Sequence, residues 1–360
     1  MTNDEFLDDW DSDWERDGSV SGDSDVAVAA RTAQKSIEVQ NLNKVRGERP
    51  VVRDLSFHVD PGEVYALVGP NGAGKTTVIR LLTGLIFPTS GTVKLLGQDP
   101  LSAPEVRRKL GAVVEAPAAF YPYLTGRANL HLHAQLAGGV EAGRIGEVLD
   151  IVELGNAAER KVGAYSLGMR QRLGVAAAIL TRPEVLILDE PASGMDPLSL
   201  HLVHRVLRGA AEGGAAVLLS THHLDEVVAY CSRVAILEEG ALVEEVDLGE
   251  RRQRYKVRVS NAAGAKVALQ TQAFIGEVGG GEGEVTFTLS DEGALGRVPS
   301  VLVNAGVEVL ELTKDTFNLQ AHYAERVARK QAAARETKGS AAQARPTLGR
   351  GAGGSAKEAA

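Results

Sequence analysis

An apolar run, Val64-Tyr65-Ala66-Leu67-Val68, leads directly into Gly69-Pro70-Asn71-Gly72-Ala73-Gly74-Lys75-Thr76-Thr77 and then into the apolar stretch Val78–Leu85. Strand, glycine-rich turn and helix in that order form one supersecondary unit, and no other feature of the chain limits its fold as tightly. The glycines let backbone N–H groups converge on an anion without Cβ contacts. The helix N-terminus adds partial positive charge at the same point. Lys75 has the reach for β- and γ-phosphate oxygens, and the Thr76 hydroxyl suits a place on Mg²⁺. A nucleotide phosphate cradle is the reading, with Gly69 to Thr77 as its wall.

The rest of the middle of the chain supports a sheet around that unit. Strand-like runs occur at Ile37–Val39, Thr92–Leu95, Leu110–Val114, Val185–Leu188, Ala216–Ser220 and Val234–Leu237. Helical patterns fall between several of them, at Thr76–Leu85, Arg144–Val152, Arg170–Leu180, Ser199–Glu212 and Leu224–Ser232. Such alternation predicts a largely parallel sheet with helices on both faces. Pro50 and Pro61-Gly62 punctuate the earliest strands, which read as an antiparallel flank.

Val185-Leu186-Ile187-Leu188 ends in Asp189 and Glu190. Two carboxylates at the C-terminal edge of a parallel strand stand where ligands of such sheets bind. Asp189 suits an outer-sphere contact to Mg²⁺, and Glu190 suits a base that orients or deprotonates an attacking water. Between the cradle and this strand lies Tyr165-Ser166-Leu167-Gly168-Met169-Arg170-Gln171-Arg172. After it come Ser193-Gly194-Met195-Asp196 and Ser220-Thr221-His222.

In order and spacing these motifs resemble the ATP-binding cassette family, the motor subunits of ABC transporters, over about Ile37 to Glu245. The resemblance implies ATP and Mg²⁺ as cofactors and a head-to-tail homodimer or heterodimer with two ATP molecules between subunits. It implies that Ser166 and Gly168 contact the γ-phosphate of ATP held by a second cassette. Asp196 would line the dimer seam, and His222 would sense the γ-phosphate. Lys75, Glu190 and His222 are then the catalytic set, and Thr76, Asp189 and Glu115 the metal set.

The chain departs from the family pattern in three places. The commonest signature reads Leu-Ser-Gly-Gly-Gln, whereas Leu167 and Met169 flank Gly168 here. Glu115, in Val113-Val114-Glu115-Ala116-Pro117, stands where a Gln is usual. Followed by Tyr121-Pro122-Tyr123-Leu124-Thr125-Gly126, it resembles the bacitracin and lantibiotic exporter branch. Arg46 stands where an adenine-stacking Tyr is usual; it is either a stacking guanidinium or a solvated side chain. Phe120–Leu124 is the candidate surface for a membrane permease, its alternative being packing inside a helical subdomain.

Composition closes off other classes. No run approaches the roughly 18 apolar residues of a membrane span. The acidic start is unlike a secretory signal, and the single Cys231 excludes an internal disulfide or a cysteine-cluster zinc site. The formal charge of −8 is uneven: residues 1–25 carry −9 and residues 326–360 carry +6, so the middle is slightly acidic and no nucleic-acid groove is expected. Trp10 and Trp14 sit in the acidic tail, which is either plain solvated chain or a short docking element.

The fold expected is α/β: a phosphate-loop NTPase of the ABC cassette type, with a mixed sheet core, an antiparallel flank and a helical subdomain, plus a small α+β appendage. Its divisions are a disordered acidic tail (1–33), the cassette (34–248), the appendage (251–323) and a mostly disordered basic Ala/Gly-rich tail (324–360). The function expected is ATP hydrolysis powering a bacterial exporter whose permease is a separate chain. That places the protein peripherally on the cytoplasmic face of the membrane. A non-transport cassette ATPase acting on a soluble complex is the alternative; such proteins usually carry a second cassette or a long heptad insertion, and this sequence shows one phosphate loop and no such insertion.

Overall fold

The computed structural model describes residues 35–114, 120–248, 254–315, 319–324 and 326. The acidic tail, the basic tail apart from residues 324 and 326, Trp10, Trp14 and Glu115 lie outside the described residues. The chain divides into two compact units, Met1–Phe317 and Asn318–Ala360. In the second, residues 319–324 are helical.

Two sheets build the first part of the larger unit. Strands β1 (Ile37–Arg46) and β2 (Arg49–Val59) pair antiparallel, and β4 (Ser90–Leu95) pairs with the other edge of β1. The second sheet has the order β5-β6-β7-β3-β8-β9, from β3 (Val64–Val68), β5 (Leu110–Val113), β6 (Val185–Asp189), β7 (Ala216–Thr221), β8 (Arg233–Glu238) and β9 (Ala241–Asp247). Its first five strands are parallel, and β9 returns antiparallel to β8. Every residue of β3, β6 and β7 is buried, which explains why they read as unbroken apolar runs rather than alternating ones.

Helix α1 (Lys75–Leu82) lies between the sheets, in contact with β2 and β4 on one side and β6 and β7 on the other. Val78, Ile79, Leu81 and Leu82 join a core that runs from Leu42 and Leu55 to Leu67, Val185 and Leu218. Each such aliphatic side chain removed from water contributes about 1.5–3 kcal/mol. The phosphate loop is therefore anchored through its helix to both sheets at once.

Among the described residues, the remaining α-helices of this region are α2 (Pro104–Arg108), α3 (Gly126–Leu136), α4 (Arg144–Ile151), α5 (Leu167–Ile179), α6 (Pro197–Glu212) and α7 (Leu224–Val227). Helices α3, α4 and α5 pack on one another. Buried Arg144 on α4 donates to the carbonyls of Ile179 and Leu180, closing the C-terminal end of α5. Buried Asn129 on α3 accepts from Tyr121 N–H (2.9 Å) and donates to the carbonyls of Tyr121 and Thr125, fixing the segment before α3. Helix α7 is shorter than the expected Leu224–Ser232. Tyr230 and Cys231 turn into the core, and Ser232 N–H donates to the Val64 carbonyl to start β8.

The last part of this unit is a four-stranded antiparallel sheet, order β11-β12-β10-β13, from β10 (Arg254–Val259), β11 (Ile275–Gly279), β12 (Glu284–Leu289) and β13 (Val309–Lys314). With α8 (Ala262–Gln270) and α9 (Val298–Asn304) the chain order is β-α-β-β-α-β, a ferredoxin-like arrangement. Its own core holds Tyr255, Val257, Phe287, Leu269 and Leu302. The glycine-rich 279–283 segment makes the hairpin turn between β11 and β12. Gly280 has φ +104°, and a Cβ there would meet the Glu284 carbonyl at 2.4 Å.

Candidate functional site

A cleft of about 900 Å³ opens where the loop before α1 meets the carboxyl edges of β6 and β7. Asn71 to Thr77 line it, together with Glu190, Ser193 and His222. Gly74 takes φ +106° as the N-cap of α1, and a Cβ there would sit 2.8 Å from the Val51 carbonyl. Gly69 leaves β3 so close to β8 that a Cβ would stand 2.2 Å from the Leu237 carbonyl. These two positions need glycine for close backbone approach. Buried Lys75 donates from Nζ to the Gly69 carbonyl (2.7 Å) and lies 3.6 Å from Glu190 Oε1.

Glu190 carries φ +48°, unusual for a residue with a side chain. Its backbone N–H donates to Ser220 Oγ and Ser220 O on β7 (3.1 and 3.2 Å), which secures that conformation. The Ser220 hydroxyl in turn donates to Asp189 Oδ1 at 2.5 Å. Buried Asp189 is thus held at the strand end while Glu190 turns into the cleft, with Nδ1 of His222 2.8 Å from its Oε2. The carboxylate, the ammonium and the imidazole form one connected group beside the cradle.

Thr76 lines the cleft beside Lys75. Among the described residues, no three His, Cys, Asp or Glu side chains come together to hold a metal. A hydroxyl from Thr76 with a carboxylate from Asp189 fits a cation that brings most of its ligands with a bound polyphosphate.

Three expected residues stand elsewhere. Ser166 is the N-cap of α5, its Oγ accepting from Met169 N–H at 3.2 Å, and Gly168 follows in the first turn. Asp196 caps α6 by accepting from Ser199 N–H at 3.0 Å. None of the three lines the cleft. Arg46 is exposed at the end of β1, across the turn from Arg49, and does not line the cleft either. Arg49, Pro50, Val51 and Arg53 of β2 do, as does Glu239 in the β8–β9 turn. The sequence reading missed these because they reach the cleft through strand pairing, with no motif of their own.

A family model described as ABC transporter matches residues 52–193. The bacitracin transport ATP-binding protein BcrA of Bacillus licheniformis is 36% identical over 293 residues, 80% of this chain and 95% of that protein. The chain belongs to the ABC transporter family. It is an ATP-binding subunit of that family and an ATPase. The BcrA of Enterococcus faecalis is 41% identical over 220 residues, 61% of this chain and 71% of that one. Among solved structures, an ATP-binding subunit of an ABC transporter superposes with TM-score 0.56 at 34% identity, covering 60% of this chain and 91% of that one. A dimeric bacterial ABC transporter cassette gives 0.54 at 26% identity, covering 59% and 98%. Among the described residues, no helix of this ABC subunit is long and apolar enough to cross a membrane.

Proposed function

We propose that this chain is the ATP-hydrolysing subunit of an exporter, working on the cytoplasmic face of the membrane through separately encoded permease subunits. The observation that carries it is the Lys75–Glu190–His222 group beside the phosphate cradle. The backbone of Asn71 to Thr77 and the Lys75 ammonium would hold the β- and γ-phosphates. Lys75 would exchange its carbonyl partners in the loop for phosphate oxygens. Glu190 would orient the attacking water and take its proton as the water oxygen bonds to the γ-phosphorus and the bond to ADP breaks. His222, bonded to the same carboxylate, would position it and sense the γ-phosphate. Mg²⁺, when bound, would neutralise charge on the phosphates; Thr76, Asp189 and Glu115 would hold it.

Ser166 and Gly168 would meet the ATP of a second cassette in a head-to-tail dimer, with Asp196 at the seam. Tyr121 and Tyr123 are half to two-thirds exposed, their rings 5.7 Å apart, and would receive the permease. The neighbouring Phe120 is buried against His133 and supports the segment from inside. The bacitracin transport for which the two BcrA relatives are named supports an antibiotic-like or lipid-like cargo, chosen by the permease rather than by this chain. We also place the working boundary of the cassette near residue 248 and assign the ferredoxin-like module no chemistry.

The test is affinity purification of the tagged chain from gently solubilised native membranes, wild type beside Glu190→Gln. We expect a polytopic permease to co-purify, and the variant to dimerise in ATP while hydrolysing it at least a hundredfold more slowly. Recovery of soluble complexes alone would overturn the exporter reading. Unchanged hydrolysis in Glu190→Gln would overturn the assignment of the base.

A further inference from the structure

The signature helix and the catalytic turn touch within one chain. Leu167 stands where the commonest signature has glycine, and its Cδ2 lies 2.6 Å from where a Cβ on Gly194 would be. Gly194 has φ +73° and follows Ser193, whose N–H donates to the Glu190 carbonyl (3.1 Å) and which lines the nucleotide cleft. One turn along α5, Gln171 donates from Nε2 to the Ser193 carbonyl at 3.4 Å. Residues 167 and 171 share a helix face by their spacing of four, so the pair grips the Ser193–Gly194 segment at two levels.

Gln171 is 94% buried, yet its Oε1 has no hydrogen-bond partner among the described residues. A buried carbonyl oxygen left without a donor is costly and rare in a settled structure. Its neighbour is a long, marginal bond to a backbone carbonyl. A small shift of the Ser193–Gly194 turn changes what both ends of this amide can reach. Nothing in a purely structural role requires such an amide at this place, because a leucine would fill the volume without an orphaned acceptor.

We propose that Leu167 and Gln171 are positioning residues that strap the signature helix to the catalytic turn of the same chain. ATP in a cassette's own cleft, by moving Ser193, thereby sets the position of the signature offered to the partner. The second half of this statement rests on the dimer reading above; the strap itself does not.

The experiment separates the two. Gly168→Arg adds a side chain where the structure leaves open space around the Cβ, so it leaves the fold intact and obstructs only the proposed seam. In that full-length variant, hydrogen-exchange mass spectrometry reads the change produced by ATP. We expect protection of residues 69–77 together with at least fivefold slower exchange over residues 166–172. Adding Leu167→Gly or Gln171→Leu should abolish the second effect and keep the first. Leu167→Gly lowers helix propensity, so Gln171→Leu is the stricter control, and its melting temperature should equal or exceed that of the parent. Protection of residues 69–77 with no change over 166–172 would overturn the strap, as would its survival in the Gln171→Leu form. Failure of Glu190→Gln to dimerise in ATP would instead count against the dimer alone.

Discussion

The turn between β8 and β9 offers the sharpest test of how the cradle is held. Glu239 and Gly240 both have positive φ, +49° and +83°, and Glu238 pairs with Ala241 across them, so this is a two-residue hairpin turn of type I′. Gly240 N–H donates to the carbonyl of Ala73 in the phosphate loop (2.9 Å), and its own carbonyl accepts from Arg53 N–H on β2 (2.7 Å). A Cβ on Gly240 would lie 2.5 Å from the Val51 carbonyl oxygen. Gly240→Ala thus adds left-handed backbone strain of about 1–2 kcal/mol. It also forces the turn away from β2, and the two hydrogen bonds it loosens are worth about 1 kcal/mol each. The expected loss is about 3–4 kcal/mol, or a melting temperature lower by roughly 5 °C for a chain of this size. Because Ala73 loses its partner, the KM for ATP should rise more than kcat falls. Chemical denaturation and steady-state ATPase assays read both quantities. Glu239→Ala is the control: it removes only an exposed 3.6 Å ion pair to Arg53, worth about 0–1 kcal/mol. A Gly240→Ala protein within 1 kcal/mol of wild type, or one no worse than Glu239→Ala, would refute the reasoning.

Arg49 lines the cleft and Arg46 does not, so if Arg49 stacks on the base, Arg49→Ala should raise the KM for ATP about two- to fivefold while Arg46→Ala leaves it unchanged; the reverse order would favour Arg46 as the stacking group. Arg233 joins Glu63 in a two-point contact, reaches Glu245 (2.9 Å) and the His58 carbonyl (2.8 Å), and stands over the Tyr65 ring. Arg233→Met would leave the largely buried Glu63 charge unpaired, at a cost of about 3–5 kcal/mol. Unfolding of Arg233→Met/Glu63→Gln should recover at least half of that loss. Burial first, then the His201 and Arg208 charges, push the His204 pKa down to about 4, and its ring stacks on Tyr230. The unfolded chain therefore binds a proton near pH 6.5 that the folded one refuses, so stability is full above pH 6.5 and declines toward pH 4. His204→Phe should flatten that decline in melting temperature, and an unchanged slope would exclude His204 as its source.

What could be read in the sequence was local. The β3–loop–α1 unit and the end of β6 are contiguous, and buried parallel strands announce themselves as apolar runs, so the positions of Lys75, Asp189 and Glu190 followed directly. Helix α3 was invisible for a physical reason. Its buried positions are Gly126, Asn129, Leu130 and Ala134, which give no apolar stripe, and its anchor is a polar side chain. Helix α8 hides in the same way, since Ala265 and Leu269 alone mark its buried face. Strand β2 carries Pro50 near its start and five exposed residues, and an edge strand of that kind has no clean alternation to display. The cleft residues Arg49, Val51 and Glu239 were missed on different grounds. They meet the phosphate loop through contacts between segments far apart in sequence, and only the glycines at 74 and 240 hint at the close backbone approach involved.

Helix α5 begins away from the cleft of its own chain, with Ser166 satisfying one of its free N–H groups and open space around Gly168. A helix of this length presents partial positive charge at its N-terminus, suited to a phosphate. The cleft, for its part, gathers Lys75, Glu190 and His222 on one side of the space a nucleotide would fill. In a single chain Ser166 and Gly168 at the start of α5 do not line the cleft that the phosphate cradle forms. Two copies joined head to tail, as proposed above, would bring each α5 over the other's cradle and exclude water from both. On this reading the chain carries two halves of two different sites, and the strap through Leu167 and Gln171 is the part that lets one half register the state of the other.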